Sequence, residues 1–275
     1  MIEENTIVDF NSAINLLNSA TETFKVSIWI PSLKTFLNFK EIEGKQQKML
    51  LSAAMENSIY NTFFSNSFYE IIKNNLIESE EFKKEDLDNL TIIDKACIAI
   101  NLRNRISNSY KMLFDNNNNI TKDIDLNDVV EKFKTFELES DTDEISISNE
   151  NVSINVLIKL PTIKQEVDYD NDIIKIFKKS SDIKTEEDVK NIVTEAFITE
   201  SSKYINKIFV SSNEIDFCGL TLKQKIQITE KLPSKILQKI IETISKWKLK
   251  LDDILTVKKD EYTGVIKIDS ILFLN

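Results

Sequence analysis

The sequence predicts an α+β fold, and three observations carry that prediction. Apolar residues alternate with polar ones over Phe24–Ile30 and again over Ile145–Leu160, the two-residue period of half-buried strands. Elsewhere they recur every three to four residues, the period of a helix with one buried face. Thr91 before Asp94 and Thr221 before Gln224 have the spacing of helix N-caps. The expected architecture is an N-terminal β-hairpin with helices and a second inserted hairpin, followed by a mainly helical C-terminal half. Residues 1–22 form an arm or helix. Residues 23–165 form an α+β domain with a mobile tip near 115–122 and an acidic loop at 137–144. Residues 166–275 form a mainly helical domain ending in a short strand.

The elements follow in order. Ile7, Val8, Phe10, Ile14, Leu16, Leu17 and Ala20 fall loosely at helical spacing. Val26, Ile28 and Ile30 make a strand that Pro31 ends, and Leu37 with Phe39 begins its partner. Met49, Leu50, Ala53 and Ala54 form one helical stripe; Tyr60, Phe63, Phe64, Phe68, Ile71 and Ile72 form another. Thr91 and Asp94 open a helix through Ile92, Ile93, Ala96, Cys97 and Ile100. Asn116–Asn119 favour a turn, and a short helix carries Val129, Val130 and Phe133. Val152, Ile154, Val156, Ile158 and Leu160 pair back on Ile145 and Ile147 around an Asn149-Glu150-Asn151 turn. Thr185 with Asp188 starts a helix, as does Thr221 with Gln224. Pro233-Ser234 opens an amphipathic one through Ile236, Leu237, Ile240, Ile241, Ile244 and Trp247. The end alternates again at Val265, Ile266, Ile268, Ile271 and Phe273.

Composition removes much chemistry. The chain has no histidine, so the commonest general base, zinc ligand and nucleophile activator are missing. Three glycines, Gly44, Gly219 and Gly264, cannot build a glycine-rich phosphate cradle. A net charge of −10 opposes nucleic-acid binding. No apolar run approaches the ~20 residues that span a bilayer. Cys97 and Cys218 sit in apolar patterns and read as buried thiols in a reducing cytoplasm. The expectation is a chain that is no enzyme and takes no cofactor or metal.

The residues that resemble chemistry have plainer readings. Asp168, Asp170 and Asp172 are spaced like the first ligands of a calcium loop, but Ile173 and Lys179 replace the glycine and glutamate that close it. The segment reads as a turn and N-cap for a helix at Ile173–Phe177. Glu139, Asp141, Asp143 and Glu144 could hold Mg2+ for a carboxylate–metal nuclease, yet no basic residue flanks them to hold phosphate. They read as a solvated loop. Arg103 and Arg105 fit either a bidentate carboxylate contact, within the chain or between subunits, or a helix C-terminus that favours cations. The Phe63-Phe64-Phe68-Tyr69 group reads as core with one edge open to an interface. Candidate interface residues are therefore Trp29, Phe63, Phe64, Arg103, Arg105 and Trp247.

Several stretches resemble, in order, the baseplate hub subunit and hub-assembly family of T-even-type contractile-tailed phages. They are Trp29-Ile30-Pro31-Ser32-Leu33, Phe39-Lys40-Glu41-Ile42, Gln46-Gln47-Lys48, Asn89-Leu90-Thr91-Ile92-Ile93-Asp94-Lys95, Ile124–Val129, Lys159-Leu160-Pro161, Glu230-Lys231-Leu232-Pro233 and Ile266–Phe273. Residues 1–22 and 170–212 match least. The resemblance implies a virion or assembly role in the central hub of the tail baseplate, in the host cytoplasm during assembly and then in the virion. Its partners would be other baseplate or tail proteins, with a homo-oligomer open as an arrangement. The mechanism would be recognition: exposed apolar positions on the N-terminal segment or the Ile236–Trp247 helix supply contact area, and charged rims set register. A transient assembly chaperone absent from the finished particle is the alternative.

Overall fold

The computed structural model describes residues 9–21, 23–55, 62–115, 120–150, 152–177 and 197–273. The expectations for Asn116–Asn119, for Tyr60 and for the Thr185–Asp188 cap lie outside these residues. The chain is a mixed α+β protein whose described strand ladders are all antiparallel.

The N-terminal part runs α1 (Phe10–Thr21), β1 (Lys25–Ile30), β2 (Thr35–Lys40), α2 (Gly44–Met55), α3 (Thr62–Asn75) and the two-residue β3 (Leu76–Ile77). A 3-10 turn (Lys84–Asn89) leads into α4 (Ile92–Ile106). Strands β1, β2 and β3 make one sheet in that order. Its inner face presents Val26, Ile28, Ile30, Leu37 and Phe39, all buried.

α4 is the axis of the molecule. Every residue from Ile93 to Arg103 is buried, so the helix is enclosed on all sides rather than along one stripe. Its N-terminus carries the expected capping box: Thr91 accepts from Asp94 N while Asp94 accepts from Thr91 N at 2.7 Å. The same carboxylate accepts from Ser32 N at 2.9 Å, so one buried acid ties the β1–β2 turn to the helix. That turn holds Lys34 at φ 50, left-handed backbone that a side chain tolerates at some strain.

Beyond α4 come β4 (Ser109–Asp115), β5 (Ile120–Asp125) and α5 (Leu126–Thr135), then β6 (Thr142–Ser148), β7 (Ser153–Lys159) and α6 (Ile163–Phe177). Of the tip expected near 115–122, Asp115 and Ile120–Lys122 belong to the β4–β5 ladder. Asp168–Asp172 do not form a turn; they lie inside α6. The helix begins instead near Thr162, whose Oγ1 accepts from Gln165 N.

The C-terminal half departs furthest from its expected helical character. Residues 197–204 are helical and are labelled α7. The chain then enters β8 (Ile205–Val210) and β9 (Asn213–Asp216). β8 pairs with β7, giving a four-stranded sheet in the order β6-β7-β8-β9. A division at residue 165 is thus not a structural seam, because one ladder uses strands from both sides of it. After α8 (Leu222–Thr229) and α9 (Ser234–Leu255) comes the hairpin of β10 (Thr256–Lys259) and β11 (Tyr262–Val265). The last alternating residues close in a 3-10 turn (Ser270–Phe273) rather than a strand. There Phe273 rests on Phe64 and Phe68 of α3, with ring centroids 6.1 and 5.9 Å away. One apolar cluster joins β1, α3, α4, α5, β7, α9 and this terminal turn.

Candidate interaction surface

The six residues expected at an interface separate into two groups. Phe64, Arg103 and Trp247 are interior, at 1%, 1% and 7% exposure. Phe64 stacks on Phe68, and Trp247 stacks on Tyr204. Arg103 caps the C-terminal end of α4: Nε donates to Leu272 O at 2.9 Å, Nη1 to Ser107 O at 2.6 Å and Nη2 to Ser109 O at 3.1 Å. Burial lowers its pKa. These three residues hold the fold together and offer no surface. The apolar face of α9 is likewise used up inside, since Ile236, Ile240 and Ile244 are buried with Trp247.

The other three reach solvent. Phe63 is 48% exposed. Arg105 donates through Nε and Nη2 to Glu41 Oε1 at 2.9 and 2.6 Å, an intrachain carboxylate contact. Trp29 lies on the outer face of the β1–β2 hairpin opposite Phe36, its ring edge-on at 5.2 Å. Its indole Nε1 is buried with no acceptor. Phe36, together with Leu33 in the turn, stays exposed.

Among the described residues, α1 gathers four strongly exposed large apolar side chains. Phe10 is 79% exposed, Leu17 61%, Leu16 59% and Ile14 42%. No other described element packs broadly against this helix. It is nevertheless well begun and firmly joined: Asp9 accepts from Asn11 N, Ser12 N and Ser12 Oγ, and Thr23 N and Phe24 N donate to Ala20 O and Thr21 O. Those hydrogen bonds from Ser12 pull the Asp9 pKa below its usual value. Phe24, between α1 and the hairpin, is exposed as well.

A second arrangement was not legible in the sequence. Lys95 of α4 donates to Glu166 of α6 at 2.6 Å and to Ser65 Oγ. Lys203 of α7 approaches the other Glu166 oxygen at 4.0 Å, and Lys248 of α9 donates to Glu200 at 3.0 Å. Burial opposes the charge on Glu166, but Lys95 and Lys203 outweigh it and hold its pKa below the usual value. Burial also works against the Lys203 ammonium, and Glu166, Glu200 and Asp170 reverse that and raise its pKa. Asp170 moves up, through burial and the nearby Glu166 charge. The only sequence signal was Lys95, standing directly before the apolar run Ala96–Ile100 of α4.

Beside this network, α6 and the β8–α8 segment enclose a pocket of about 640 Å³. Asp168 and Asp172 on one side face Lys203 and Lys225 on the other, so charge balances and no single-sign field favours an ion. Cys218 lines it and is exposed, contrary to expectation. Burial and Asp216 push its thiol pKa up, the opposite of an activated nucleophile. Cys97 is buried as expected and donates to Trp29 O.

The acidic run is dispersed rather than gathered. Glu139 pairs with Lys250, Asp141 with Lys159, and Asp143 accepts from Thr243 Oγ1. Among the described residues no group of three or more acidic or cysteine side chains is placed to hold a metal. Nor is any described helix long and apolar enough to cross a membrane. The chain matches no family model, no curated protein and no solved structure.

Proposed function

We propose that this protein is a structural or assembly component of a phage tail baseplate, at its central hub, and that it works by protein–protein contact without bond chemistry. The observation that carries the contact reading is α1, whose four large apolar side chains stand in solvent. Monomeric proteins seldom leave a contiguous apolar patch of this kind uncovered, and such patches mark interaction sites. The assignment to a baseplate rests on the ordered resemblance of the sequence segments. Three of those segments meet in the fold. Ser32 in the first bonds to Asp94 in the second, and Ile92 N donates to Pro161 O in the third. Segments joined in this way behave as one frame, which supports treating them as a unit.

Mass spectrometry of purified virions and of infected-cell lysate tests the reading. Presence in the virion at a fixed ratio to tail proteins supports a structural hub component. Presence in the lysate alone, with tails failing to assemble in its absence, supports the transient chaperone. Normal tails without the protein would overturn both.

A further inference from the structure

We propose that α1 docks as a helix into an uncharged apolar groove on a different protein, with a basic rim where the groove receives the helix N-terminus. The inference rests on the contact reading above and adds the docking element and the partner's chemistry. Phe10, Ile14 and Leu17 follow the i, i+4, i+7 spacing of helix-in-groove anchors. Leu16, Ala13 and Ala20 widen the apolar arc to one side. At 12 residues the helix is about 18 Å long, a span that a groove between two helices or beside a sheet can match.

Charge identifies the occupant. The whole chain is 29% charged, yet Phe10–Thr21 contains no charged residue; its polar side is built of Asn, Ser and Thr. A helix kept in water gains solubility and helix propensity from Glu and Lys on its polar side. Asn and Ser give neither, but they can be covered without burying a charge. Acids flank the segment: Glu3, Glu4 and Asp9 before it, Glu22 after it. A second copy of this chain fits poorly. Parallel pairing sets Asp9 against Asp9, and antiparallel pairing sets Asp9 near Glu22, while each copy carries −10. A partner whose groove is apolar along its floor and basic at one end meets neither conflict.

The test uses the full chain carrying a photoreactive benzophenone amino acid at Phe10 or Leu17, expressed together with the tail proteins. The same probe at Leu249, equally exposed at 61% on α9, is the control. Adducts from positions 10 and 17 should fall on one partner protein, on apolar peptides with Lys or Arg close to the Phe10 adduct. With the probe at Ile14, Phe10→Asp with Leu17→Asp should cut the adduct at least tenfold without moving the melting temperature. Glu3→Lys with Glu4→Lys should cut it severalfold, and more at low salt. Adducts to this chain itself, equal yield from Leu249, or no adduct would each overturn the docking proposal. An intact place in the virion would then leave the baseplate reading standing. An adduct on a protein unrelated to tails would support docking and overturn the baseplate reading.

Discussion

Replacing Arg103 by Met should destabilise the fold severely, whereas the same change at Arg105 should hardly matter. Arg103 is 1% exposed and donates three hydrogen bonds to the carbonyls of Leu272, Ser107 and Ser109. A hydrogen bond to a charged group contributes about 1.5–3 kcal/mol, so a simple sum for three is about 4.5–9 kcal/mol. Two effects reduce it. The guanidinium is desolvated in the fold, as its lowered pKa records, and methionine keeps much of the apolar stem packing. A net loss of about 3–4 kcal/mol remains once the orphaned carbonyls are included. Arg105 pairs with Glu41 while half exposed, and such pairs contribute about 0–1 kcal/mol. Urea denaturation reads both losses as shifts of midpoint at constant m-value. Because Leu272 is one acceptor, amide exchange in the terminal 3-10 turn should also accelerate in Arg103→Met. Unfolding free energies for the two variants within about 1 kcal/mol of each other would refute the assignment of Arg103 to the interior frame.

Lys95→Met should destabilise by about 2–4 kcal/mol by stranding Glu166, and Lys95→Met with Glu166→Met should recover at least half of that loss in a double-mutant cycle; an additive loss would argue against the pair. The same network predicts pH dependence. Glu166 and Glu200 have folded pKa values below 4.5, so their contribution is full above 4.5 and fades as pH falls through the lower folded values. Lys203 is raised above 10.5, so its contribution is full below 10.5 and fades beyond it. Asp170, raised above 3.8, acts in the opposite sense and partly offsets the acid arm. Thermal melts from pH 7 down to about pH 3 should show Glu166→Gln starting less stable and losing less on acidification. At the β8–β9 turn Ser211 has φ 54, so Ser211→Gly should raise stability by about 0.5–1 kcal/mol by relieving left-handed strain; a lower melting temperature would count against it.

Local signals in the sequence carried a good part of the architecture. The β1–β2 hairpin, the β6–β7 hairpin with its turn after Ser148, the Thr91 and Thr221 capping boxes and the start of α9 at Pro233 were all legible. Each depends on residues within a few positions of one another. Strands β8 and β9 were not. Ile205 and Ile208 are three apart and suit a helix as well as a strand; β7, lying alongside, decides for the strand by offering a ladder of unpaired backbone groups. Asp168–Asp172 went to the helix for a similar reason, because α6 has α3 and α4 to pack against.

For the candidate surface the division follows the same line. Which side chains are apolar, and that Phe10–Thr21 carries no charge, belongs to the sequence alone. Which of those side chains remain in water was decided by the tertiary structure, because burial depends on what packs opposite. Trp247 and Phe64 found partners in Tyr204, Phe68 and Phe273, while Phe10 and Leu17 found none broad enough to cover them. Arg103 and Arg105 stand two residues apart on one helix, so they point to different sides. One turns inward to three carbonyls and the other outward to Glu41.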